Sequence, residues 1–231
     1  MNKSFQIATI IPTFNRKHTL QRAIDSVYGQ KYISNEIIII DDGSTDGTKE
    51  FLKSNSDLYD LFLENSTNLG KGGAIKNGLN HANGEYILFQ DADLEYNPDE
   101  YQRLLQPIIQ FDADVVMGSR FLSPDWTRVF YFSHKIGNKL ISSLFNVLFN
   151  TTWTDIYSCY LMYRKDLIDS DSLKTYGWEQ QAEILAKLCK QKVKLYEVPI
   201  NYNGRPYEEG KKIRWHHIVP VIGTIIKNKF L

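Results

Sequence analysis

Residues 36–48 read EIIIIDDGSTDGT, and this stretch decides the fold. Four successive isoleucines leave no position for solvent. A β-branched run of that kind fits a strand buried on both faces, as at the centre of a parallel sheet. Two carboxylates, Asp41 and Asp42, stand at its carboxyl end, and Gly43-Ser44 continues as a turn. Working outward, the same pattern recurs. Residues 5–11 (FQIATII) read as a strand ended by Pro12, and residues 84–90 (GEYILFQ) as one ending in Asp91-Ala92-Asp93. Between them lie helical segments at 17–30, with Leu20, Ile24 and Val27 at helical spacing, at 46–54 and at 70–82. Strands are expected at 58–63 and 114–118, and a helix at 98–111 opening on Pro98.

Strand–helix alternation predicts an α/β fold, a mostly parallel Rossmann-like sheet with helices on both faces. Ligands in such sheets bind beyond the carboxyl ends of the strands. Three polar clusters fall there: Pro12 to Asn15, Asp41 to Ser44 and Asp91 to Glu95. The second half reads differently. Residues 128–150 are rich in apolar side chains, with Ile136, Leu140, Leu144, Val147 and Leu148 expected on one helical face and Lys135 and Lys139 beside it. That segment has a core or dimer reading and a membrane-surface reading. Helices are expected at 176–190 and 215–229, a strand at 193–199, and a polar, basic loop at 200–214.

Composition narrows the function. Lys plus Arg and Asp plus Glu are 27 each in 231 residues, so the net charge is zero and nucleic-acid electrostatics are excluded as the organising principle. An aromatic share of 13% argues against disorder. Cys159 and Cys189 form no CxxC and have no His at zinc spacing, so they read as buried free thiols of a reducing compartment. The start, MNKSFQIATIIP, is too short for a signal peptide, and no apolar run reaches the roughly 20 residues of a bilayer span. A cytoplasmic setting is expected, with room for peripheral membrane contact.

Asp91 and Asp93, two apart after an apolar strand, can hold a divalent cation against a diphosphate, with Glu95 extending the acidic set. Acidic turns are common, so the spacing alone favours a surface turn, and its place after an apolar strand brings the functional reading level with it. Ser44 or Asp46 can cap the next helix, which leaves the paired Asp41-Asp42 unexplained by capping. A carboxylate there can accept from a base or a ribose. The run Asn68-Leu69-Gly70-Lys71-Gly72-Gly73 is similar to a phosphate cradle without being a P-loop or a dinucleotide fingerprint.

Together these pieces resemble the inverting glycosyltransferases of family two, which have the GT-A fold. The resemblance runs through IIPTFNR, EIIIIDDGSTDGT, NLGKGGAIKNGLNHANGEYILFQDADLEYNP, GSRF and YEVPINYNGRPYEEGKKIRW, about residues 5–215. The later pieces are similar to the dolichol-phosphate and polyprenyl-phosphate mannosyltransferase branch. The resemblance implies one GT-A domain over 1–231, with residues 1–118 binding a nucleotide sugar and 119–231 an acceptor. Pro12, Thr13, Phe14, Asn15, Asp41, Asp42 and Gly43 would line the base and ribose, with Asn68, Gly70 and Lys71 near the nucleotide. Asp91, Ala92 and Asp93 would form the DxD, with Asp93, Asp91 and Glu95 holding Mg²⁺ or Mn²⁺. Ser119, Arg120, Arg128, Lys211 and Lys212 would meet an acceptor phosphate, and Arg205 lies on the loop expected to close over both substrates.

The implied reaction is one in-line displacement at the anomeric carbon. A phosphate acceptor is already an anion and needs cations to position it. A saccharide hydroxyl needs a carboxylate base, for which Asp155, Glu179 and Glu183 are the candidates. The preferred reading is transfer of a hexose from a GDP- or UDP-sugar to a polyprenyl phosphate at the cytoplasmic membrane face, with a homodimer or a membrane-protein partner allowed. The rivals are a saccharide acceptor in cell-surface polysaccharide assembly, a sugar nucleotidyltransferase, and a non-catalytic nucleotide-sugar-binding module. His134, His216 and His217 have no partners at metal spacing and are expected at the surface or an interface.

Overall fold

The computed structural model describes residues 5–30, 33–129, 131–205 and 217–230. Among them, one sheet of seven strands runs in the order β3-β2-β1-β4-β6-β5-β7. The strands are β1 (Phe5–Thr13), β2 (Ile33–Asp41), β3 (Leu61–Glu64), β4 (Tyr86–Phe89), β5 (Val115–Ser119), β6 (Leu161–Arg164) and β7 (Leu195–Pro199). The helices are α1 (Lys17–Tyr28), α2 (Thr48–Ser54), α3 (Gly70–His81), α4 (Tyr101–Phe111), α5 (Phe132–Phe149), α6 (Gln180–Cys189) and α7 (Ile218–Phe230).

The isoleucine run is central, as its composition requires. Ile37 to Ile40 are all fully buried between β1 and β3. Pleating sends them alternately to two faces. Ile38 and Ile40 join the cluster beneath α3, α5, α6 and α7, while Ile37 and Ile39 join the one beneath α1 and α4. A strand with helices on both faces has no use for polar positions.

Two departures from the sequence expectations matter. β6 is a strand that apolar patterning did not reveal, and it pairs antiparallel with both β4 and β5. Only four residues long, it lies in a tyrosine-rich segment with no turn signal of its own. The second concerns α5, whose expected face leaves the core reading and keeps the surface one. The face turned to the core is Ile141, Ser142, Phe145 and Phe149, whereas Ile136, Leu140 and Val147 of the expected face are exposed. The helix carries apolar residues on both sides, and the stacked pair Phe145–Phe149, with ring centroids 4.5 Å apart, fills the core side. Among the described residues no helix is long and apolar enough to cross a membrane.

Candidate active site

A cavity of about 1490 Å³ opens at the carboxyl ends of β1, β2 and β4. That exceeds the usual range for one small ligand, roughly 300–1,000 Å³. Its wall includes Pro12, Thr13 and Phe14 after β1, Asp42 after β2, and Asp91, Ala92, Asp93 and Glu95 after β4. The three polar clusters thus do converge on one edge.

Thr13 and Asp41 are register partners on β1 and β2, and both are buried. Among the described residues, Thr13 Oγ1 and Asp41 Oδ2 have no hydrogen-bond partner. Burial pushes the Asp41 carboxyl above its ordinary pKa, although the Ser44 amide donates to its other oxygen at 3.2 Å. Two orphaned oxygens at adjacent strand ends are atoms that a ligand's donors could satisfy.

Asp42 has a structural task. Its carboxylate accepts from Asn65 Nδ2 at 2.8 Å and from the backbone amides of Leu69 and Gly70, each at 2.9 Å. An anion there satisfies the amides at the start of α3 and favours the helix dipole. The glycines that follow correct the phosphate-cradle expectation. A Cβ on Gly72 would lie 2.6 Å from the carbonyl carbon of Tyr176, and the Gly73 amide donates to the Tyr176 carbonyl at 3.2 Å. They let the backbone before α6 pass close to α3. Gly70 and Lys71 line the cavity, and Gly72 and Gly73 do not. Asp46, meanwhile, accepts from the amides of Lys17 (3.2 Å) and Thr48 (3.0 Å), serving the first turns of both α1 and α2.

The acidic run is crowded by cations. Lys71 Nζ is 2.6 Å and 2.7 Å from the two oxygens of Asp91, 3.1 Å from Cys159 Sγ and 5.8 Å from the Trp178 ring. Burial opposes charge on Asp91, but the ammonium outweighs it and holds the carboxyl below its ordinary pKa. Burial also pushes the Cys159 thiol up to about 12. Arg205 Nη2 meets Asp93 Oδ2 at 2.5 Å. Its backbone amide and Nε meet Glu95 Oε1 at 2.9 and 3.0 Å, and Tyr202 donates to Glu95 Oε2 at 2.7 Å. Burial first, then the carboxylates of Asp91 and Glu95, push Asp93 up to about 6 despite Arg205.

Across the cavity, Arg120 grips Asp155 with two bonds, Nε to Oδ2 at 2.7 Å and Nη2 to Oδ1 at 2.8 Å. Asp155 is fully buried and lies off the cavity wall. Ser119 Oγ accepts from the amides of Phe121 and Leu122 and meets Thr154 Oγ1 at 2.6 Å, which shapes the turn after β5. Glu183 is buried under the amides of Lys174 and Thr175 and the Thr175 hydroxyl. Glu179 accepts from the Gly177 amide at 3.3 Å. Arg128 donates to the Gly204 carbonyl at 3.1 Å.

Of the expected site residues, Pro12, Thr13, Phe14, Asp42, Asn68, Gly70, Lys71, Asp91, Ala92, Asp93, Glu95, Arg120, Arg128 and Arg205 share the cavity wall. Asn15, Asp41, Gly43, Ser119, Asp155, Glu179 and Glu183 do not. Lys211, Lys212 and His216 lie outside the described residues. Sequence reasoning missed Tyr157, Cys159, Trp178 and Tyr202, all on the wall, and expected His134 and His217 at the surface or an interface, whereas both line the cavity. Tyr202 ends the VPINY run next to Arg205, the one signal that could have marked it.

The acidic run suits a divalent cation. Its donors are hard carboxylate oxygens that repel one another in a half-buried wall, and Lys71 and Arg205 already neutralise them. Among the described residues no three acidic, His or Cys groups form a self-contained metal cage. A cation here would therefore draw ligands from phosphate and water, as Mg²⁺ sites commonly do.

The fold has known counterparts. Glucosyl-3-phosphoglycerate synthase from Mycobacterium tuberculosis, solved with Mn²⁺, UDP and phosphoglyceric acid, superposes with a TM-score of 0.73 over 98% of this chain and 79% of its own, at 18% identity. The same synthase with Mg²⁺ and UDP gives 0.71 over 97% and 79%, again at 18% identity. The shared fold is GT-A. In sequence, the glycosyltransferase AglJ of Haloferax volcanii is 28% identical over 87% of this chain. A UDP-N-acetylglucosamine–dolichyl-phosphate N-acetylglucosaminyltransferase of Methanococcus voltae is 28% identical over 84% of each chain. Glycosyltransferase GlyA of Streptococcus pneumoniae is 30% identical over 61% of this chain. The chain spans only 20% of GlyA and 64% of AglJ. The family model for glycosyl transferase family 2 matches residues 8–171, from within β1 to the segment beyond β6, and the chain belongs to that family.

Proposed function

We propose that the chain is an inverting glycosyltransferase that moves a hexose from a nucleotide sugar to a polyprenyl-phosphate-type acceptor. The carrying observation is how the carboxylates are distributed. Asp91, Asp93 and Glu95 face the cavity, while Asp155 and Glu183, two of the three candidate bases, are buried in structural hydrogen bonds away from it. A hydroxyl acceptor would need such a base. A phosphate acceptor needs cations, and Arg120, Arg128, Arg205, Lys135 and Lys139 line the same wall. The dolichyl-phosphate transferase among the relatives supports the same acceptor class.

In this reading residues 1–118 hold the donor. Thr13, on the wall with the buried Asp41 behind it, turns its hydroxyl toward the base or ribose, and Lys71 lies beside the diphosphate. Residues 119–231 hold the acceptor, with the guanidinium of Arg128 suited to phosphate oxygens and Arg120, forked on Asp155, adding positive charge to the wall. A phosphate oxygen of the acceptor attacks the anomeric carbon in line, the bond to the nucleoside diphosphate breaks, and configuration inverts. No proton has to leave the nucleophile. Asp93, with Asp91 and Glu95, would hold Mg²⁺ or Mn²⁺, which when bound supplies charge neutralisation for the leaving diphosphate. Arg205 would exchange its carboxylate partners for phosphate as the substrates enter.

The test is thermal stabilisation by UDP, GDP, CDP and dTDP, with and without Mn²⁺, on wild type and Asp93→Asn. One nucleotide at 100 times its dissociation constant should add about 2.7 kcal/mol in wild type, only with metal, and nothing in the variant. Incubation of the matching nucleotide sugar with polyprenyl monophosphate should then yield the glycosyl lipid. Transfer to a saccharide instead, or stabilisation unchanged in Asp93→Asn, would overturn the reading.

A further inference from the structure

The helices that wall the acceptor side of the cavity each carry a second apolar face, turned outward. On α5, Phe132, Ile136, Leu140 and Val147 are spaced four, four and seven apart, which places them on one side of a helix. On α7, Val219, Ile226 and Phe230 are spaced seven and four apart. Their exposure runs from 42% for Ile136 to 82% for Val147, so none is a core residue. The opposite faces, Ile141, Phe145 and Phe149 on α5 and Val221 and Ile225 on α7, sit in one core cluster. The two helices are neighbours, with Lys229 Nζ of α7 5.4 Å from the Phe149 ring of α5. The outward stripes therefore lie on the same side of the molecule.

Charge identifies the occupant. Neither 132–149 nor 218–230 contains an Asp or Glu, while Lys135, Lys139, Lys227 and Lys229 flank the stripes. We propose that this face docks on a bilayer containing anionic lipid, its apolar stripes in the headgroup boundary and its lysines on the headgroups. A second copy of the chain fits less well. A two-fold interface sets the same patch against itself, so lysines would meet lysines. Because Lys135, Lys139, Ile218 and Val221 of the same helices line the cavity, docking would turn that wall of the cavity toward the bilayer. The surface rests on exposure and charge and does not depend on the acceptor reading.

The test is flotation with vesicles of phosphatidylcholine alone and of phosphatidylcholine with phosphatidylglycerol. Wild type should float with the anionic vesicles, and less so at high salt. Phe132→Ser/Leu140→Ser and, separately, Lys139→Glu/Lys227→Glu should each lower the bound fraction about tenfold. These positions are exposed, and Val147→Ser serves if the apolar double variant misfolds. Absence of flotation with anionic vesicles, or variants that float like wild type, would overturn the proposal. So would a solution dimer that the apolar variant converts to monomer, which would make the face a self-association surface. A protein that glycosylates short, water-soluble polyprenyl phosphate without floating would keep the proposed function and lose this surface.

Discussion

Arg205 is ion-paired to Asp93, Nη2 to Oδ2 at 2.5 Å, and the same guanidinium reaches Glu95 through Nε at 3.0 Å. A cation already stands on the oxygens proposed to take the metal. Arg205→Met should therefore tighten Mn²⁺ binding in the absence of nucleotide by about tenfold, the equivalent of ~1.4 kcal/mol of lost competition. Calorimetric titration of the two proteins checks this. The variant should also raise KM for the acceptor. Equal or weaker Mn²⁺ affinity would mean that Arg205 does not compete for these carboxylates.

Arg120 and Asp155 form a buried pair in which, among the described residues, the carboxylate has no other ion-pair partner. Replacing one member strands the other. Arg120→Met should cost about 3–5 kcal/mol of stability. In a chain of this size that lowers Tm by roughly 10 °C. A scanning calorimetry trace within a degree or two of wild type would show that the pair contributes little.

Glu183→Gln separates structure from chemistry. The amide places donors where Lys174 and Thr175 already donate, so about 1–3 kcal/mol should be lost. The kcat of the folded variant should stay close to wild type. A collapse of kcat with unchanged Tm would instead restore Glu183 as a candidate base and favour a hydroxyl acceptor.

Gly72→Ala tests the contact between α3 and the chain before α6. The new methyl would meet the Tyr176 backbone at 2.6 Å, and backbone cannot rotate away as a side chain can. A loss of about 1–3 kcal/mol is expected, as for an overpacked core site. Since Gly70 and Lys71 open the same helix, affinity for the donor nucleotide should fall with it. A variant as stable as wild type would mean that the two segments separate at little cost.

The parts of the fold that were legible share one trait: the signal was local. The isoleucines of β2, the apolar strand before Asp91 and the polar strand ends lie within a few residues of what they determine. β6 was not legible, because four residues between two other strands take their identity from their neighbours. On α5 periodicity found a real stripe and left its side open between core and surface, since two stripes of similar strength compete and only packing chooses. The acidic run could be found at Asp91, Asp93 and Glu95, but its partners could not. Lys71 lies 20 residues from Asp91 and Arg205 lies 112 from Asp93, and nothing in the chain between them announces the pairing. Trp178 reaches the wall by topology alone.

The antiparallel β6 also constrains how the molecule can be made. β4 and β5 are separated in the sheet by a strand that follows β5 in the chain by more than 40 residues. During synthesis β4 therefore waits with an open edge until residue 164 is available, and β5 cannot join the sheet before then. Pairings that span so much chain are slow to close, and open strand edges invite association with other chains. A fragment ending at residue 118 would hold most of the proposed donor site yet keep that edge permanently bare. Residues 1–118, proposed to hold the donor, are thus not an independent folding unit, and residues 119–231 supply the strand that completes their sheet.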